Sequence, residues 1–262
     1  MTRLIPALLP VFLTVLLAGC GGGGGDELTP PPTPDPIVIP AVSALMTGQG
    51  AASARTLSTP SATVTSGQSV SLPVFVDDAS GLAGATLSLR FDPSKLACTD
   101  ATSPMAGVTV VVNPAADPGH AIVVLAGTTP ALAGRQIIAS FVLRGSGAAG
   151  TTPIAISGTV FDALGNAVAS TDAPSQAAVM LARTRAGIIG DLTGMSIPSA
   201  GAAIKVMNVV SGLAPSPASS AVRQWDANQN GTVDHGDAVE IMRCAAGLGT
   251  WPIASRSAAG AR

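Results

Sequence analysis

The sequence predicts an antiparallel all-β sandwich followed by a small α-helical unit, and three observations predict it. Between about residues 59 and 182, apolar and polar residues alternate in short runs, the period of a half-buried strand. Turn formers, 30 Gly and 21 Pro in 262 residues, separate those runs. Beyond residue 190 the chain repeats itself at an offset of 35 residues, and its apolar period becomes helical. Composition narrows the function. Thirteen Lys+Arg against 15 Asp+Glu, a net charge of −2, provide no basic field for nucleic acid. Two His and three Cys are too few for a His-rich metal site or a disulfide framework.

The amino-terminal residues carry Arg3, then an apolar run from Leu4 to Ala18 that is too short for a comfortable membrane span and is interrupted by Pro6 and Pro10. The run ends in Leu17-Ala18-Gly19-Cys20, which resembles the bacterial lipobox. That resemblance implies a leader over 1–19, lipidation at Cys20 and an exported protein anchored to the cell envelope by acyl chains, at the outer membrane if the envelope is Gram-negative. Gly21 to Gly25 and the proline cluster Pro30 to Pro36 read as a tether, and no convincing period follows until Ser58. Residues 20–58 are therefore expected to be disordered.

Within 59–182, Val70, Leu72, Val74 and Val76 share one face. Ala85, Leu87, Leu89 and Phe91 share another, as do Val108, Val110 and Val112, and Ile137, Ala139, Phe141 and Leu143. Ile122 to Leu125 is a continuous apolar run, short enough for a buried strand, and Ala177 to Leu181 adds a last candidate. Eight or nine strands suit a jelly roll. The segment Gly84-Ala-Thr-Leu-Ser-Leu-Arg-Phe-Asp-Pro-Ser-Lys-Leu96 resembles the cohesin signature, and Ile138 to Leu143 with the Gly-rich turn to Ile156 is similar to a second cohesin segment. The resemblance implies a non-catalytic domain that binds protein. Related cellulose-binding sandwiches use a planar Tyr/Trp strip, and this stretch has neither residue. His120 lies beside Asp117 with no recognisable nucleophile elbow, so it reads as a solvated loop histidine. Cys98 reads as a buried free thiol.

A linker over 183–186 leads to the duplicated unit at 187–251, and residues 252–262 read as a disordered tail. Asp191 pairs with Asp226, Ala203 to Met207 with Ala238 to Met242, and Gly212-Leu213 with Gly247-Leu248. Each half reads as a twelve-residue loop followed by a helix that ends at Gly. The second loop places oxygen donors at calcium-loop spacing: Asp226, Asn228, Asn230, Thr232 (through its carbonyl), Asp234 and Asp237, with Gly231 at the sharp turn and Val233 as the apolar anchor. His235 is expected to point away from the ion. The first loop keeps Asp191, Thr193 and Ser199 but has Ala202 where a carboxylate is needed, so one Ca²⁺ is expected rather than two. Met195 and Ile197 are expected to fill space there.

Two calcium loops, each with one helix, resemble a dockerin. The resemblance implies that Ala200, Gly201, Met207 and Asn208 of the first repeat, and His235, Gly236, Met242 and Arg243 of the second, face a cohesin. Trp225 and Trp251 are expected in core packing or in clasping the ends of the unit, and Cys244 beside the core. Together these readings imply a non-catalytic lipoprotein adaptor for calcium-dependent cohesin–dockerin assembly, linked to polysaccharide binding or degradation. Its partners would be cohesin- or dockerin-bearing proteins, another copy of itself among them, or a polysaccharide. The alternative is a carbohydrate-binding surface lipoprotein whose calcium-stabilised appendage is structural.

Overall fold

The computed structural model describes residues 35–49, 52–127, 132–171, 188–193, 197–219 and 221–253. The expected leader, the lipidation site Cys20, the 183–186 linker, the candidate strand at Ala177 to Leu181 and most of the tail lie outside them.

Ten strands form one antiparallel sheet in the order β7-β10-β5-β3-β2-β13-β12-β6-β9-β8. Their ranges are β2 Val42–Gly48, β3 Arg55–Thr59, β5 Ser69–Val76, β6 Leu82–Arg90, β7 Leu96–Thr102, β8 Val108–Asp117, β9 His120–Gly127, β10 Gln136–Gly145, β12 Ala155–Asp162 and β13 Ala167–Ser170. A small second sheet joins β1 (Ile37–Ile39) to β4 (Ala62–Val64) and β11 (Gly150–Thr151). The large sheet folds over at the β2–β13 pairing, where Ala169 sits opposite Gly48, so its halves face each other as a sandwich. The interior holds Leu72, Val74, Phe141 and Leu143 from one leaf and Leu87, Leu89, Val123 and Leu125 from the other, all fully buried. These residues occupy alternate positions on their strands, so the period-two reading of β5 and β6 holds, and that of β10 holds from Ala139 onward; a bulge between Ile137 and Ala139 turns Ile138, not Ile137, into the core.

The tether expectation fails within residues 37–58, where Ile37–Ile39 forms β1, Val42–Gly48 forms β2 and Arg55 opens β3. The region is poor in large residues, but Ile37, Ile39, Met46 and Leu57 fall on inward positions and are completely buried. Each such side chain contributes about 1.5–3 kcal/mol, enough to order short strands that complete an existing sheet. Arg55 is also buried. Its guanidinium donates to the carbonyls of Asp78 (2.6 Å) and Ser80 (3.0 Å), tying β3 to the turn after β5. Phe75 does not enter this interior. It is half-buried, and the Arg135 guanidinium stacks 4.2 Å above its ring.

The helices are α1 (Ala200–Val210), α2 (Val222–Trp225) and α3 (His235–Ala245). The 35-residue duplication is physical: α1 and α3 each span 11 residues and start and stop at equivalent positions. Ser199 caps α1 as Asp234 caps α3. Both helices end in the same turn: Leu213 N–H reaches the Asn208 carbonyl and Leu248 N–H the Arg243 carbonyl, each at 2.8 Å. Gly212 and Gly247 supply φ of 73° and 74° there, a left-handed conformation costly for any other residue. No helix among the described residues is long and apolar enough to cross a membrane.

Sandwich and helical unit are not separate bodies; the described residues cluster as one compact unit. A second apolar core joins Ala203, Ile204, Val206, Met207, Ala238, Ile241 and Met242 to Ala83, Val124, Ala126 and Phe161 of the sheet. Helix α1 lies over β9, β6 and β12, and α3 over β8 and β9.

Candidate functional site

The loop from Asp226 to Asp237 is organised around its carboxylates. Asp226 accepts the N–H groups of Asn230 (3.0 Å) and Gly231 (2.9 Å), one on each oxygen. Asp237 accepts those of Asn228 (3.0 Å) and Asp234 (2.7 Å). Asp234 accepts from Gly236 N–H (2.7 Å) and from the side-chain amides of Asn228 (3.3 Å) and Asn230 (2.8 Å). The Thr232 hydroxyl donates to Asn230 Oδ1 at 2.8 Å. Gly231 at φ 93° and Gln229 at φ 59° make the turn that brings these groups round. Val233 anchors the loop against the second core, as expected.

The electrostatics of this loop are unbalanced. Asp237 is fully buried. Desolvation raises its pKa, and although two backbone N–H bonds oppose this, the nearby charges of Asp226 and Asp234 add to the rise. Hydrogen bonds from Asn230, Gly236 and Thr232 lower the pKa of Asp234. Among the described residues, neither ion pair involves these three carboxylates: His120 pairs with Asp117 and Arg243 with Glu240. No group of three or more His, Cys, Asp or Glu side chains is gathered as a metal cage among the described residues. A cation held here would therefore draw on amide and carbonyl oxygens as well as carboxylates. The donor set has that composition, all hard oxygen, and fits Ca²⁺ in kind.

The first loop is stabilised differently. Ser199 Oγ is used as the helix cap, accepting Ala202 N–H at 3.3 Å, and Ala202 is buried. Lys205 donates from Nζ to the Leu192 carbonyl at 3.1 Å, and Gln224 Nε2 donates to the Asp191 carbonyl at 2.8 Å. An ammonium thus stands inside the degenerate repeat, where the second repeat has Glu240 at the equivalent position. Ile197 does not fill the loop; it is 55% exposed, and Met195 lies outside the described residues. Trp225 packs against the second core. Trp251 and Ile253 stand beside Gly190, so the end of the unit meets its beginning. Cys98 and Cys244 are buried free thiols, as expected, and burial pushes the Cys98 thiol up to about 11.

The eight residues expected to face a cohesin divide by repeat. In the first, Ala200, Gly201, Met207 and Asn208 are all buried. Gly201 lies so close to the Gly165 carbonyl and the Phe161 ring that a Cβ on it would overlap both. Asn208 donates from Nδ2 to the Ala163 carbonyl at 2.6 Å. Phe161 belongs to β12, and Ala163 and Gly165 to the turn after it, so these residues face this chain's own sheet. In the second repeat, Met242 is buried in the shared core, whereas His235, Gly236 and Arg243 are exposed. A further polar contact was missed in the sequence: Asn113 Nδ2 on β8 donates to the Ala246 carbonyl at the end of α3, at 2.7 Å and buried.

His120 is not a solvated loop residue. It opens β9, is 9% exposed, and its Nε2 lies 2.7 Å from Ser88 Oγ on β6. The register explains this, since Arg90 sits opposite His120 and Ser88 is two residues further along the same face. Asp117 Oδ2 is 3.5 Å from Nδ1 with its side chain 72% exposed. Ser88 lies within a strand paired on both sides, with no elbow turn to expose it.

No family model and no curated protein matches this chain. Solved structures do resemble it. The sixth cohesin of Acetivibrio cellulolyticus scaffoldin B, solved in complex with a Cel5 dockerin mutant, is 19% identical. That match covers 39% of this chain and 82% of the cohesin at a TM-score of 0.33. A non-cellulosomal cohesin from the archaeon Archaeoglobus fulgidus is 16% identical over 39% of this chain and 74% of its own, TM-score 0.34. The cohesin module of a Clostridium perfringens family 33 glycoside hydrolase is 13% identical over 40% and 80%, TM-score 0.35.

Proposed function

We propose that this chain is a non-catalytic assembly protein in which a duplicated loop–helix unit, ordered by one calcium ion, docks on the outer face of a cohesin-like sandwich. Through these two surfaces it gathers cohesin- or dockerin-bearing proteins at the cell envelope, where an acylated Cys20 would hold it. The seating of α1 on β12, β6 and β9 carries the reading, because it makes this sheet face a receptor for a helix of the kind the second half of the chain supplies.

Asp226, Asn228, Asn230, Asp234 and Asp237 would hold the ion with the Thr232 carbonyl. The ion's contribution is to neutralise three carboxylates that no protein cation pairs among the described residues. The chain's own residues do the rest: the Asp234–Asp237 capping box starts α3, and Val233 and Met242 carry the loop's order into the shared core.

Calorimetry of Ca²⁺ into the full-length protein tests this, paired with amide exchange across 226–245. One site per chain, with slower exchange on binding, is expected. An absence of heat, with identical exchange before and after chelation, would overturn it. Chelator-sensitive binding of a dockerin-bearing protein to the immobilised chain supports assembly. Retention on insoluble glycan without any protein partner supports the carbohydrate-binding alternative.

A further inference from the structure

The sheet face under the helices is a matched surface rather than a general apolar patch. Val124 and Ala126 point out of the sandwich and are completely buried, and the residues that cover them come from the helical unit. The fit has a steric element, Gly201 against Phe161, and two polar elements at opposite ends, Asn208 to Ala163 and Asn113 to Ala246. No ion pair contributes to it among the described residues. Recognition therefore depends on shape and on two donor–acceptor pairs, which any molecule bearing the same helical unit would satisfy.

We propose that the occupant of this face in an assembly is the helical unit of a second copy of this chain, exchanged for the chain's own. The inference deepens the reading above by naming the partner, and rests on its docking surfaces but not on calcium. A foreign protein must displace a segment tethered at an effective concentration of about millimolar, and the displaced segment gains nothing in return. A second copy restores every displaced contact, because each chain receives what it gives up. Exchange of identical elements is a low-cost route to dimers for that reason. The seated arrangement is the closed monomer of this equilibrium, and exchange links copies through the same contacts.

Two full-length variants test it by complementation. Gly201→Trp prevents α1 from seating but leaves the sheet face intact. Ala126→Arg blocks the face but leaves the helical unit intact, and its guanidinium reaches solvent once the helices leave. Each variant alone is expected to remain monomeric by light scattering. Their equimolar mixture is expected to form a species of twice the monomer mass, growing with concentration. Asn208→Arg replaces Gly201→Trp if circular dichroism shows the latter misfolded. A mixture that stays monomeric at every concentration, with both variants folded, overturns the proposal. Dimerisation without any calcium heat would remove the calcium reading and leave this one standing.

Discussion

Replacing Gly201 by Ala has opposite signs depending on whether α1 is docked. In a free helix, Ala is better than Gly by about 1 kcal/mol, because it restricts the unfolded backbone and suits the helix. In the docked structure an added Cβ overlaps the Gly165 carbonyl and stands 2.8 Å from Cδ1 of Phe161, a ring only 2% exposed. The carbonyl belongs to a hairpin turn whose Gly165 has φ 77°, so backbone must move rather than a side chain rotate. Overpacking of that kind costs about 1–3 kcal/mol, and the overlap here places it at the upper end. The net expectation is a destabilisation of about 1–2 kcal/mol for the whole protein. Urea unfolding followed by far-ultraviolet circular dichroism reads it. Gly236, the equivalent glycine in the second repeat, meets the Asn228 amide and the Asp234 carboxylate of its own loop, so Gly236→Ala serves as a contrast that does not report docking. A stabilisation of about 1 kcal/mol in Gly201→Ala would refute the reasoning, because it would mean that α1 behaves as a free helix.

Removing the buried amide in Asn113→Ala should destabilise by about 1–3 kcal/mol, since the Ala246 carbonyl loses its donor in a dry place; denaturant midpoints at constant slope check it. Asp226→Ala with Asp237→Ala should abolish the calcium heat of the intact chain, and two equivalent sites in the unsubstituted protein would show that the first loop also binds the ion. Lys205→Met should speed amide exchange around Leu192 with or without calcium, because an ammonium stabilises that repeat. Cys98, raised to about 11 from 9.0, keeps its proton in the folded protein after the unfolded chain has lost it. Stability from this group is therefore complete below about pH 9 and declines as pH rises through 11, by on the order of 2–3 kcal/mol, and Cys98→Ala should flatten that decline in an alkaline unfolding series.

The sandwich was legible where one strand face is wet. In β5 and β10 the alternation reports inward and outward positions directly. It was illegible in residues 37–58, where four large side chains complete the core amid Ser, Thr and Ala that carry no period. The repeat was legible to the residue because caps and terminators recur: Ser199 and Asp234 open the helices, Gly212 and Gly247 close them. The docking left one trace in the sequence. Ile122 to Leu125 is apolar at every position, and in an antiparallel sheet that means both faces are covered. The Ser88–His120 contact left none, because it depends on register between β6 and β9 rather than on proximity in the chain.

That doubly covered strand makes the order of synthesis matter. The sandwich precedes its helical cover in the chain, so a nascent or truncated molecule lacking residues beyond Ser170 displays Ile122, Val124 and Ala126 to water. Such a molecule would be held by chaperones until the last quarter of the polypeptide arrived to shield it.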